Sequence, residues 1–121
     1  MKRPKVNRRR AERGGRRAEA LAALWLRLKG WAIVARRVRT PRGEVDLVAR
    51  RGRIIAFVEV EARATEADIA LSLDDYRLRR VAAAAEALAP RFLRDGDDVR
   101  IDAIFILPRR LPRHLENVWH G

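Results

Sequence analysis

An α/β domain with the element order helix, strand, strand, strand, helix, strand is predicted by three observations. Two segments carry apolar residues at helical spacing, four short segments are rich in Val, Ile and Phe, and turn-forming residues separate them. Residues 1–10 read as a basic arm with no assigned structure, and 11–121 as a single domain. A helix is expected from Ala11 to Lys29, with Ala18, Leu21, Ala22, Trp25 and Leu28 as its apolar stripe and Gly30 as its stop. Trp31–Thr40 reads as the first strand, followed by a Pro41-Arg42-Gly43 turn. Gly43–Arg51 and Ile54–Glu61 are the next two strands, joined at Arg51-Gly52-Arg53, and the short links predict an antiparallel meander. Ala64–Leu71 shows no clean period and reads as a loop over the site. A second helix is expected from Leu73 to Ala89, capped by Ser72, Asp74 or Asp75 and followed by Pro90. Leu73, Val81, Ala84, Ala85 and Leu88 form its apolar face. After a turn at Asp95–Asp98, Val99–Leu107 is the fourth strand, broken by Asp102 and ended by Pro108. The tail carries His114 and His120, whose spacing fits no helical ligand pair, so a surface or capping role is expected for them.

Composition narrows the function. The chain has 121 residues, enough for a real core, and 48% of them are hydrophobic, which argues against wholesale disorder. It has no cysteine, which excludes disulfides, zinc–thiolate sites and cysteine nucleophiles, and a reducing cytoplasm is the expected compartment. No apolar run has the length of a membrane span, and Glu19 and Arg27 interrupt what would be a signal-peptide core. The net charge is +12, and residues 1–17 hold nine Lys/Arg against the single acid Glu12. Such a balance favours a polyanionic partner, nucleic acid ahead of an anionic membrane. Lys2, Lys5 and Lys29 are the only lysines; every other cation is arginine. No P-loop, dinucleotide fingerprint or Ser–His–acid spacing is present.

The chemistry concentrates in the second and third strands. Period-2 geometry sends Val45, Leu47 and Ala49 one way and Glu44, Asp46 and Val48 the other. In the third strand Ile55, Phe57, Glu59 and Glu61 share a face, so two carboxylates continue a surface that begins as core. Buried charges are normally paired or bound to metal, and antiparallel pairing brings Asp46 alongside. Glu19 sits on the flank of the first helix's stripe and reads, by pattern alone, as a solvated carboxylate. Arg77 falls inside the apolar arc of the second helix, where it either snorkels outward or reaches a carboxylate or phosphate.

An aspartate on one strand and Glu-x-Glu on the next resembles the active-site layout of the PD-(D/E)XK nucleases. The ordered motifs Gly15-Arg-Arg-Ala-Glu19, Gly43-Glu-Val-Asp46-Leu-Val-Ala49, Phe57-Val-Glu59-Val-x-x-Arg63, Arg100-Ile-Asp102-Ala-Ile104 and His114-Leu-Glu-Asn-x-Trp119 extend the likeness over nearly the whole chain. On them the chain is identified as a member of the YraN-like family of small bacterial proteins. That resemblance implies a restriction-endonuclease-like core, a mixed sheet flanked by helices. It further implies a metal-dependent nuclease acting on phosphodiester bonds of DNA, branched or structured DNA included. Mg²⁺ or Mn²⁺ would be held by Asp46 and Glu59, a pairing of hard ion with carboxylate oxygen. Glu19 would join them, as an N-terminal-helix glutamate does in Holliday-junction-resolvase relatives. Glu61 counts with these three as catalytic, and Arg8, Arg9, Arg10, Arg16, Arg17, Arg63 and Arg77 are the candidate nucleic-acid contacts. Oligomeric state stays open, a homodimer included.

One departure stands out. The family pattern has lysine where this chain has Glu61, and no lysine follows Lys29. Either Glu61 works as a metal ligand, or catalysis is lost and nucleic-acid binding remains. Arg63 or Arg77 would replace the missing charge only electrostatically, since arginine stays protonated.

Overall fold

The computed structural model describes residues 5–72 and 75–120, with side chains from residue 15 onward. Helix α1 (Lys5–Leu28) leads into strands β1 (Ala32–Thr40), β2 (Gly43–Arg51) and β3 (Ile54–Ala62). Helices α2 (Glu66–Ser72) and α3 (Asp75–Phe92) follow, then β4 (Asp98–Ile106) and a short β5 (Arg113–Leu115). The strands lie in sequence order in one five-stranded sheet. β1–β2, β2–β3 and β4–β5 are antiparallel, whereas β3 and β4 are parallel. A parallel pair needs a crossover, and α2 and α3 supply it. The sheet is therefore mixed, as the resemblance implied.

A helix covers each face. On one side α3 buries Val81, Ala84, Ala85 and Leu88 against Val48, Ile55 and Phe57. On the other, α1 buries Ala22, Ala23 and Leu26 against Leu47, Ala49, Ala56 and Val58. The α1 stripe is thus rotated from the expected one: Leu21 and Leu28 are exposed, and Ala18, Ala22, Ala23 and Leu26 face inward. Alanines let the helix axis lie close to the sheet, with Leu26 filling the seam while Leu21, Leu24 and Leu28 turn away. Helix α1 also starts at Lys5, ahead of the expected Ala11. Residues 1–4, and the side chains of Arg8, Arg9 and Arg10, lie outside the description.

Three further expectations change. The segment read as a loop contains α2, which begins with a reciprocal cap: Thr65 N–H donates to Asp68 Oδ2 at 3.1 Å, and Asp68 N–H reaches back to Thr65 Oγ1 at 3.4 Å. Ser72 ends α2 instead of capping α3, and its hydroxyl donates to Asp68 O at 2.6 Å. Pro90 lies inside α3. Proline forfeits one helical hydrogen bond there. The last turn is retained because Phe92 packs edge-on against Phe57, with ring centroids 6.4 Å apart.

The start of β2 fixes how close α3 comes to the sheet. At Gly43 (φ 152°) an added Cβ would lie 3.2 Å from Arg80 O and 3.7 Å from Ala84 Cβ. Gly43→Ala is expected to lower stability by about 1–3 kcal/mol, from backbone strain and the close contact together. A urea midpoint equal to wild type would show that this approach is not constrained.

A candidate carboxylate site beside helix α3

Between β1 and β2 the ladder runs Arg36↔Leu47, then Val38↔Val45, passing over Arg37 and Asp46. The β2–β3 ladder ends at Leu47↔Val58. At this break Asp46 replaces main-chain pairing with its side chain, its Oδ2 accepting the Val60 N–H at 2.8 Å. The strict alternation expected for β2 fails here too. Val45 packs with Val48 on the α3 side, while Leu47 and Ala49 face α1.

Asp46 and Glu59 meet as expected. They line an open cavity of about 280 Å³ together with Glu44, Arg77, Arg80 and Val81. Burial pushes the Asp46 carboxyl up to about 6, opposed by the Val60 hydrogen bond and reinforced by the charges of Glu19, Glu44 and Glu61. Burial and then the adjacent Glu61 charge push Glu59 up to about 7; Arg77 opposes this, and Asp46 adds to it. Crowded, half-buried carboxylates of this kind are expensive as anions without a cation.

The other named residues are placed differently. Glu61 is only 8% exposed and sits behind the cavity, between two arginines. Its Oε2 accepts from Arg63 Nη2 at 2.5 Å, and its Oε1 is in ion-pair contact with Arg77. Arg77 also lies 4.0 Å from Glu59. Arg63 donates to Ser72 Oγ at 2.5 Å and to Ala62 O at 2.7 Å, and it lines a separate hollow with Arg17 and Leu107. Glu19 is held by Arg37 at 2.6 Å and faces a neighbouring hollow with Gly15, Arg16, Arg39 and Glu44. It is therefore near Asp46 without sharing its cavity. Arg16 and Arg17 are exposed on α1.

Among the described residues no three His, Asp or Glu side chains are grouped as a metal cage requires. Magnesium does not need one: it keeps several waters and commonly takes one or two carboxylates. Asp46 and Glu59 fit that pattern as a pair.

Sequence reasoning overlooked a second polar cluster. Asp102, fully buried in β4, accepts from Arg100 Nη2 at 2.7 Å and from the Asn117 N–H at 2.9 Å. It also pairs with His114 Nε2 at 2.7 Å. The far side of that ring, Nδ1, meets Lys29 Nζ at 2.7 Å. An ammonium only donates, so Nδ1 accepts and Nε2 carries the proton given to Asp102. Far from being a surface residue, His114 has a side chain only 1% exposed. Its Nε2 points into the core and its ring packs edge-on to Trp31. The available signal was a lone Asp inside an apolar strand, which demands a partner.

A mixed α/β domain with a helix on each face and two crowded carboxylates in one cavity defines the class. The chain matches the sequence profile of the family described as "Uncharacterised protein family UPF0102" over residues 18–106. It is 66% identical over 109 residues to a UPF0102 protein of Sphingopyxis alaskensis, covering 90% of this chain and 94% of that one. Identity is 59% with a UPF0102 protein of Erythrobacter litoralis, at the same coverage. With one of Rhizorhabdus wittichii it is 61%, over 92% of this chain and 94% of the relative. The chain belongs to the UPF0102 family, the same family as the YraN-like proteins its motifs resemble. Among the described residues no helix is long and apolar enough to cross a membrane.

Proposed function

We propose that this protein is a metal-dependent nuclease of restriction-endonuclease-like architecture, acting on phosphodiester bonds of DNA, branched or structured DNA included. The observation that carries the proposal is the convergence of Asp46 and Glu59 in one cavity, with both carboxyl pKa values raised toward neutrality. The antiparallel β1–β2–β3 meander with a helical crossover to parallel β4 supports the architecture. A net charge of +12 supports a polyanionic substrate.

Asp46 and Glu59 would hold a divalent ion, which supplies charge neutralisation at the phosphate and a more acidic water. The Val60 N–H fixes one oxygen of Asp46. Arg77 and Arg80 present positive charge to the same cavity. One observation favours a second reading, a nucleic-acid-binding protein without catalysis: Glu61 stands where the family pattern has lysine.

Incubation with duplex, single-stranded and branched DNA and with RNA, in Mg²⁺ and Mn²⁺, tests both. Cleavage is expected, and Asp46→Asn or Glu59→Gln should each reduce it by about a hundredfold or more. Affinity should fall steeply with salt, as counterion release requires. Salt-dependent binding with no cleavage of any substrate selects the second reading. Absence of both removes the nucleic-acid assignment.

A further inference from the structure

We propose that Glu61 is a positioning residue that holds Arg77, and that Arg77 supplies from helix α3 the phosphate-facing cation of this site. This rests on the nuclease-like reading above and assigns roles within it. Glu61 is buried and absent from the cavity wall, whereas Arg77 lines that wall and keeps 43% of its side chain exposed. Arg63 and Arg77 flank Glu61 on its two oxygens. The two cations are not equivalent. Arg63 donates to Glu61, Ser72 and Ala62 and lines a different hollow, with Arg17 and Leu107, away from Asp46 and Glu59. Arg77 stands beside Glu59, at the cavity where a phosphate held near Asp46 and Glu59 would lie.

The chemistry of arginine sets what this relocation does. A guanidinium is a planar fork suited to two phosphate oxygens, and it stays protonated. Arg77 therefore neutralises and orients the phosphate and takes no proton. Glu61 as a holder also explains why an acid is tolerated there: it is neutralised by its arginines rather than by a metal.

The test combines duplex binding in Ca²⁺ with Mn²⁺ calorimetry. Arg77→Ala is compared with Arg79→Ala, which removes the same charge from the same helix but lines a different hollow, beside Ala82 and Trp119. Arg77→Ala should weaken duplex binding about tenfold or more, as loss of a charged hydrogen-bonding contact does. Arg79→Ala should weaken it no more than about threefold. Mn²⁺ affinity in Arg77→Ala should not fall, because a neighbouring cation has been removed. The double variant Glu61→Lys/Arg77→Ala should recover duplex binding to within about threefold of wild type and retain Mn²⁺ binding, since the cation then comes from β3. Equal losses for Arg77→Ala and Arg79→Ala would overturn the assignment of Arg77. Mn²⁺ binding abolished in the double variant would overturn that of Glu61 and make it a ligand. Wild-type protein that binds neither Mn²⁺ nor duplex would overturn the nuclease-like reading itself, and this inference with it.

Discussion

Asp102→Ala is expected to cost about 3–5 kcal/mol of folding stability, the range for breaking a buried ion pair by removing one partner. A domain of this size has a total of only about 5–15 kcal/mol to lose. Asp102 is 0% exposed and accepts hydrogen bonds on both oxygens. Burial opposes its ionisation, but hydrogen bonds from His114, Arg100 and the Asn117 N–H outweigh that and hold its pKa below the usual value. Without the carboxylate, Arg100 and the Asn117 N–H lose their buried acceptor, and His114 is left between Lys29 and nothing. The damage spreads because these groups come from distant segments. Lys29 follows α1, His114 lies in β5, and Asn117 pins the C-terminal tail, where the Val118 N–H also donates to Ile101 O at 2.8 Å. Asp102→Asn keeps the shape and should cost less. Urea midpoints at pH 7 measure both; a change under about 1 kcal/mol for the alanine variant would show that the cluster does not hold the tail to the sheet. The depressed pKa also sets a pH sign. This stabilisation is present above the unfolded value near 3.8 and lost as pH falls through the lower folded value.

Asp46 and Glu59 act with the opposite sign. Their folded pKa values, about 6 and about 7, lie above the ordinary 3.8 and 4.5, so the folded protein binds more protons than the unfolded chain between roughly pH 4 and 7. Stability of the metal-free protein should therefore fall as pH rises through that window. For a group titrating independently, the loss is about 1.4 kcal/mol for each pH unit between its unfolded and folded pKa values. Asp46→Asn and Glu59→Gln should each be more stable than wild type at pH 8, by about 3 kcal/mol, and gain nothing at pH 4. Asparagine keeps an oxygen for the Val60 N–H, so that contact survives the change. Mn²⁺ should reverse the order. Ligand linkage at about a thousandfold excess over Kd stabilises wild type by about 4.1 kcal/mol and the variants hardly at all. Thermal melts at pH 4 and pH 8, with and without Mn²⁺, read all of this. Variants less stable than wild type at pH 8 without metal would show that Arg77 already satisfies the carboxylates and that they need no further cation.

What the sequence by itself determined is what local chemistry encodes. The three-strand meander is legible because period-2 alternation and turn residues such as Arg51-Gly52-Arg53 act within a few residues. Asp46 and Glu59 were legible as a pair because strands of known polarity bring their faces together, and the family motifs marked the same residues. Helix α2 was legible in principle from Thr65 and Asp68, whose spacing makes a cap, but seven residues give no period to read. Rotation and partner choice were decided only by tertiary structure. Of the expected α1 stripe, Ala18 and Ala22 are buried, but Ala23 and Leu26 take the places of Leu21 and Leu28, because close approach to the sheet selected the alanines. Glu19 meets Arg37, which takes a left-handed conformation (φ 49°) just past the irregularity in β1, and no pattern announces either. Lys29 and His114 are 85 residues apart, and Glu61 found Arg77 across a helical connection. Charges separated along the chain have no local signature; only the packed sheet and helices determine which cation each buried carboxylate meets.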